Sequence, residues 1–462
     1  MSLERGTARL QIALALAVGL ALRLFFVVHA PRIAGDTLIY GDIAKNWVQH
    51  GVYGFAQGPH GPLPTLIRLP GYPIFLALCF AVFGADRYTA VMAVQSVIDL
   101  GTCLLVADLA RRIFGGWAGV AVLWLAALCP FTANYVAAPL TETLSLFCVA
   151  AVFYGLYRWR EAGLGWNGWM WVIAVSLAYA VLLRPEQGLL AVAVIPVMLW
   201  LALRQLRRGL VGASPVLVAA LCVILPLAPW TIRNWRTFHV VEPLAPRYAT
   251  DPGETVWAGF QQWFRSWGID FSSTEEVYWN WDSATIDIAD VPTRAFDTED
   301  QYNRTVALLS RYNEDTTATP ELDAGFKALA EERRADDPVR YSITLPVARL
   351  ANMLLRPRTE MLEVPLEWWR WSRHPGKTAF AAVYAAINLA YLVLGGLGLW
   401  QWRRRGWDAP LAWSMLAFVA LRCAMLLTLD NSEPRYTLEF FPLLLVWSGA
   451  LFARPREGQV ER

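Results

Sequence analysis

The chain has 462 residues, 56% of them hydrophobic and 17% charged, with a mean hydropathy of +0.36. Soluble domains carry about 25% charged residues, so an ordinary water-soluble enzyme is excluded and a polytopic membrane protein is indicated. A net charge of +2 gives no reason to expect nucleic acid as a partner.

Apolar runs fall near 10–30, 72–84, 88–110, 117–134, 141–157, 169–183, 188–203, 212–232, 378–400, 409–429 and 436–453. A spanning helix needs about 20 such residues to cross about 30 Å of hydrocarbon. The first run follows Arg5 and Arg9 as a signal peptide would. It is long for that role and lacks a small-x-small cleavage site, so it is expected to stay as the first spanning helix.

The second run, inside 64-PTLIRLPGYPIFLALCFAVFG-84, decides the topology. Basic clusters follow the later runs: Arg111 and Arg112; Arg158 and Arg160; Arg204, Arg207 and Arg208; Arg403, Arg404 and Arg405; Arg454 and Arg456. Short loops rich in such residues stay cytoplasmic. If 72–84 crosses, every cluster falls on the side opposite Arg5 and Arg9. If it does not, all share one side. At 13 residues the run is also short for a span. The expectation is an all-α fold of about ten transmembrane helices, both ends cytoplasmic, with interfacial helices in the first outer loop, 31–87. In domain terms, 1–240 is an N-terminal membrane core, 241–376 an extracytoplasmic segment with an interfacial end, and 377–462 the C-terminal helices.

Within that segment, 242–345 holds 20 acidic against 9 basic residues and no spanning run. A helix is expected at 321–335, and the tryptophan-rich 361-MLEVPLEWWRWSRHPGK-377 suits the headgroup region. The six cysteines all lie in apolar runs without CxxC spacing, which points to packing rather than disulfides or zinc.

On this topology, ionisable residues gather at the outer ends of the helices: Asp36, Asp42, Arg68, Glu142, Arg184, Glu186, Arg233, Glu433 and Arg435. Such groups are costly near lipid and often functional. Asp36 shares a helix face with Tyr40 and suits either a general base for an acceptor hydroxyl or a helix cap, with Asp42 the rival base. Glu142 fits a second acid or simple capping. Arg68, held by the turn 69-LPGYP-73, suits a phosphate through its two-pronged guanidinium, or a lipid headgroup. Of the acids inside a run, Asp108 should pair with Arg111 and Arg112, while Asp99 has no evident partner.

Asp36 with Tyr40, 69-LPGYP-73, 83-FG-84, 139-PLTE-142, 184-RPE-186, 229-PWTIRNW-235 and 434-PRYTLEFFP-442 together resemble the GT-C class of membrane glycosyltransferases. The likeness is to the lipid A aminoarabinose transferases and protein O-mannosyltransferases, over roughly 10–240 and 378–453. It implies inverting transfer of a sugar from a polyprenyl-phosphate donor to a glycan, lipid or protein acceptor. The protein would be multi-pass in the inner membrane, with its site facing the periplasm. The resemblance assigns Asp36 and Glu142 to catalysis, and Arg68, Tyr40, Tyr72, Arg184, Glu186, Arg233, Asn234, Arg435 and Tyr436 to substrate binding. It implies no cofactor, although oligosaccharyltransferases of this class hold a divalent metal. Arginine at 68 departs from the lysine of the aminoarabinose transferases, and glutamate at 142 from the usual aspartate. A transporter or flippase of an anionic or lipid-linked substrate is the alternative, as is a non-catalytic scaffold of the same fold.

Overall fold

The computed structural model describes residues 2–56, 61–204 and 212–453. The clusters at Arg207, Arg208, Arg454 and Arg456 lie outside them. The chain forms two compact units: Met1–Glu254 with Ala390–Val419 and Leu438–Arg462, and Thr255–Leu389 with Ala420–Thr437.

In the first unit, helices α1 (Ser2–His29), α4 (Tyr88–Phe114), α5 (Gly116–Ala127), α7 (Glu142–Glu161) and α8 (Gly168–Leu183) pack as neighbours. Fifteen of the 20 residues of α7 are buried, including almost every residue from Glu142 to Leu156. A helix apolar on all sides gives no amphipathic signal, so its central position is not visible in its periodicity.

About ten spans were expected. Among the described residues, six helices are long and apolar enough to cross a membrane: Thr7–His29, Tyr88–Phe114, Pro185–Arg204, Ser214–Phe238, Pro375–Arg404 and Ala409–Leu426. Gly71–Phe83, Gly116–Ala127 and Gly168–Leu183 are apolar but shorter. Prolines explain part of the difference. The run 117–134 breaks before Pro130 into α5 and α6 (Pro130–Tyr135), because proline lacks the N–H that a continuing helix needs. The run 436–453 is a short α-helix, Phe441–Ser448, between 3-10 turns at Pro434–Phe440 and Gly449–Phe452.

The break after α5 leaves carbonyls that need donors. Arg23, fully buried on α1, supplies them: its Nη1 donates to Ala127 O at 2.9 Å and its Nη2 to Ala126 O at 3.5 Å, while Nη1 also donates to Gly19 O of its own helix at 2.8 Å. Its Nε donates to Asp99 Oδ2 at 2.7 Å, so the partner missing for Asp99 in the sequence is an arginine 76 positions earlier. Asp108 pairs with Arg111 and Arg112 as expected, at 2.6 and 2.7 Å. Arg112 also reaches Glu161, and Arg160 binds Asp408, so several basic clusters meet at the ends of α4 and α7. Glu142 begins α7 at its opposite end.

The first loop builds helix α2 (Asp36–His50), a two-residue hairpin of Gly54–Phe55 with Leu63–Pro64, and helix α3 (Gly71–Phe83). At 13 residues α3 is about 20 Å long, well short of a bilayer core. It docks through Gly71, where an added Cβ would lie 2.5 Å from the backbone of Leu182. Only glycine allows that approach, and Tyr179 seals it with a hydrogen bond to Gly71 O.

The second unit has its own aromatic core of Phe260, Trp263, Phe264, Trp267, Tyr312 and Phe326. The expected helix at 321–335 is Pro320–Asp336, capped by Thr319. Its Asp323 accepts from the backbone N–H of Gly259 and Phe260, fixing the start of Ala258–Arg265.

Candidate active site

Asp36 is the first residue of α2, but its side chain does not cap the helix; Gly35 occupies the cap. The carboxylate instead accepts a hydrogen bond from Arg68 Nη2 at 2.7 Å. Both side chains are about a quarter exposed, at 24% and 22%. The rival base, Asp42, accepts from the backbone N–H of Ala56 at 2.7 Å and so serves the loop.

Arg68 is held by its backbone. Its carbonyl accepts from the Tyr53 hydroxyl at 2.9 Å, and Leu66 N–H donates to Asp251 at 2.8 Å. Arg233 donates to Thr65 O and Tyr53 O at 2.7 and 2.8 Å. Tyr53 O also accepts from Thr65 N–H at 3.0 Å, so the Arg233 fork adds a second bond there and a donor for Thr65 O beside the short hairpin. Asn234 is fully buried and donates to Glu242 O at 2.9 Å. Arg233 thus supports the loop that carries Arg68, and Asn234 Oδ1 accepts from Arg233 at 3.0 Å.

Glu142 is 3% exposed and begins α7. Arg184, in the turn after α8, donates to Glu186 at 2.7 Å and to Glu142 at 3.2 Å. Glu439 completes the group, 4.0 Å from Arg184 and 2% exposed. Glu439 lies within 434-PRYTLEFFP-442, where nothing local marks it as a partner of Arg184.

Tyr40 and Tyr72 stand between the two ion pairs. Their rings meet edge to face with centroids 5.1 Å apart, and Arg68 sits 5.8 Å above Tyr40. The Tyr40 hydroxyl is pushed up to about 12, by burial first; Arg68, Asp36, Arg184 and Glu142 all act on it electrostatically. Residues of both pairs thus act on one buried hydroxyl, which brings Asp36 and Glu142, 106 positions apart, into one region of the first unit. Arg435 and Tyr436 belong to the second unit, where both bind Glu433.

This cluster has acceptors for a proton (Asp36, Glu142) beside guanidinium groups that can meet an anion (Arg68, Arg184). Among the described residues, no three His, Cys, Asp or Glu side chains converge in a way that could hold a metal ion.

Residues 64–232 match the family model described as dolichyl-phosphate-mannose-protein mannosyltransferase. That stretch, a little over a third of the chain, contains Arg68, Tyr72, Glu142, Arg184 and Glu186. The fold is shared with the oligosaccharyltransferase of Archaeoglobus fulgidus, crystallised with a tethered acceptor peptide. The TM-score is 0.51 at 12% identity, covering 96% of this chain and 49% of that one. The chain thus spans about half the length of that relative. ArnT of Cupriavidus metallidurans, solved with undecaprenyl phosphate bound, is a looser likeness, with a TM-score of 0.38 at 14% identity over 96% of this chain and 77% of that one. No curated protein matches the sequence. The family match over part of the chain and the shared fold both point the same way as the motif resemblance.

Proposed function

We propose that the protein moves a sugar from a polyprenyl-phosphate donor to an acceptor hydroxyl on the outer face of the inner membrane, with inversion at the anomeric carbon. The observation that carries this reading is the pair of acid–guanidinium contacts, Asp36–Arg68 and Glu142–Arg184, flanking Tyr40.

In this reading the donor phosphate takes the guanidinium of Arg68, which offers a planar pair of donors to phosphate oxygens. Asp36 is thereby released from its partner. Its carboxylate accepts the proton of the acceptor hydroxyl as that oxygen attacks the anomeric carbon from the side opposite the phosphate. The carbon–oxygen bond to phosphate breaks, and its electron pair leaves with the polyprenyl phosphate. A phosphate is already a good leaving group, so cations that stabilise its growing charge matter more than an acid that protonates it. Glu142, Glu186 and Glu439 fix Arg184 beside this centre, and the apolar helices offer a groove for the prenyl tail. The acceptor is a hydroxyl of a glycan, lipid or protein.

The test is to incubate membranes containing the protein with a panel of radiolabelled polyprenyl-phosphate sugars and follow label into acceptor. Label transferred from one donor, and lost with Asp36→Asn at unchanged protein level, supports the reading. Label that crosses the membrane without a new glycosidic bond, and persists in Asp36→Asn, supports a transporter instead.

A further inference from the structure

Gln95 lies on α4, fully buried. An amide inside an apolar bundle keeps its place only if its hydrogen bonds are made. Here its two N–H hydrogens and its oxygen all have partners. Nε2 donates to Val136 O at 3.1 Å and Ala138 O at 2.9 Å, and Oε1 accepts from the Tyr72 hydroxyl at 2.7 Å. Two carbonyls on one side can only accept, which fixes the orientation of the amide.

Those partners lead to both halves of the site. Val136–Ala138 lies in the buried turn between α6 and α7, so its carbonyls stand four and six positions before Glu142 in the chain. Ala137 O, between them, accepts from Arg32 N–H at 2.9 Å, in the segment that enters α2 at Asp36. Tyr72 is the second residue of α3, four positions after Arg68, and its ring supports Tyr40. One turn thus ties the entry to Asp36, the approach to Glu142 and, through Gln95, the tyrosine pair between them.

We propose that Gln95 is a positioning residue for transfer, setting the separation of Asp36 and Glu142 through Tyr72 and the turn at Val136–Ala138. The inference rests on the function proposed above. Displacing a reacting group by about 1 Å costs about 100-fold in rate without altering what binds. A positioning role therefore appears in kcat, and a role in donor binding appears in KM.

Gln95→Glu keeps the shape and still accepts from Tyr72, yet as a carboxylate it donates to neither carbonyl. Protonated, it donates to one. The expected result is a kcat reduced about 10- to 100-fold, a donor KM within about twofold of the parent, and partial recovery of kcat as pH is lowered relative to the parent profile. Tyr72→Phe removes only the hydroxyl and should lower kcat less. Combined with Gln95→Glu it should add little, because both changes break one linkage. Unchanged kcat in Gln95→Glu at equal protein level and equal Tm overturns the inference, as does a loss confined to KM. If Gln95→Glu does not accumulate, unchanged kcat in Tyr72→Phe overturns it. Asp36→Asn in the same assay separates the two claims: full activity there defeats the proposed function, whereas an inactive Asp36→Asn beside a fully active Gln95→Glu defeats the positioning role alone.

Discussion

Arg68→Ala isolates the donor contact. In the free protein its guanidinium spends one donor on Asp36 at 2.7 Å and one on Ile67 O at 3.2 Å. The pair is neither fully buried nor fully exposed, at 22% and 24%, which sets its worth at about 1 kcal/mol. A donor phosphate meeting the same guanidinium gains one or two charge-assisted hydrogen bonds, each about 1.5–3 kcal/mol. Less the Asp36 contact it displaces, the net runs from about 0.5 kcal/mol for one weak bond to about 5 kcal/mol for two strong ones, or from about twofold to a few thousand-fold in donor kcat/KM. Arg68→Lys keeps the charge but loses the fork, and should fall between Ala and the parent. The assay is initial rate against donor concentration in detergent at fixed acceptor. A donor kcat/KM within twofold of the parent in Arg68→Ala would refute the assignment, as would a loss that appears only in acceptor KM.

Two predictions concern stability. Arg23 and Asp99 form a pair whose side chains are 0% and 2% exposed, so removing one partner alone should cost about 3–5 kcal/mol. Thermal unfolding in detergent should show Asp99→Leu and Arg23→Met each strongly destabilised and the double variant well above their sum; simple additivity would contradict the pairing. Glu276, in the second unit, has its carboxyl pushed up to about 7 by burial first, then by Asp290, Glu367, Asp270 and Glu275. Folding therefore favours its protonated form. Its contribution to stability is most favourable below the ordinary value of 4.5 and falls as pH rises through about 7. Glu276→Gln should accordingly raise Tm at pH 8 and leave it nearly unchanged at pH 4.5; an equal shift at both would contradict the cause given.

Much of the candidate site is legible because its residues announce themselves chemically. Asp36, Arg68, Glu142 and Arg184 are charged groups at the ends of apolar runs, where charge is expensive. Proline and glycine at 70–73 marked the turn that holds Arg68 in place. What the sequence hid were partners. Arg23 and Asp99 lie 76 positions apart, and Arg184 and Glu439 lie on segments with no local relation. Gln95 is a single uncharged amide, and nothing in its neighbours reveals that three hydrogen bonds converge on it. The donors of Arg233 meet Thr65 O and Tyr53 O beside the short hairpin, a pairing that nothing local to 229-PWTIRNW-235 reveals. The number of spans was blurred for a related reason. Hydropathy registers apolar length, but proline breaks and helices apolar on every side decide where a run turns and which face it buries.

The central claim is that Asp36 takes the acceptor proton next to a donor phosphate held by Arg68. It is tested most directly by single-turnover transfer from the preferred polyprenyl-phosphate sugar with Asp36→Asn, which keeps the size of the side chain and removes the base. The account predicts a rate at least about 100-fold below the parent, with donor still bound and the protein equally abundant and equally stable. Transfer at the parental rate in that variant would contradict it.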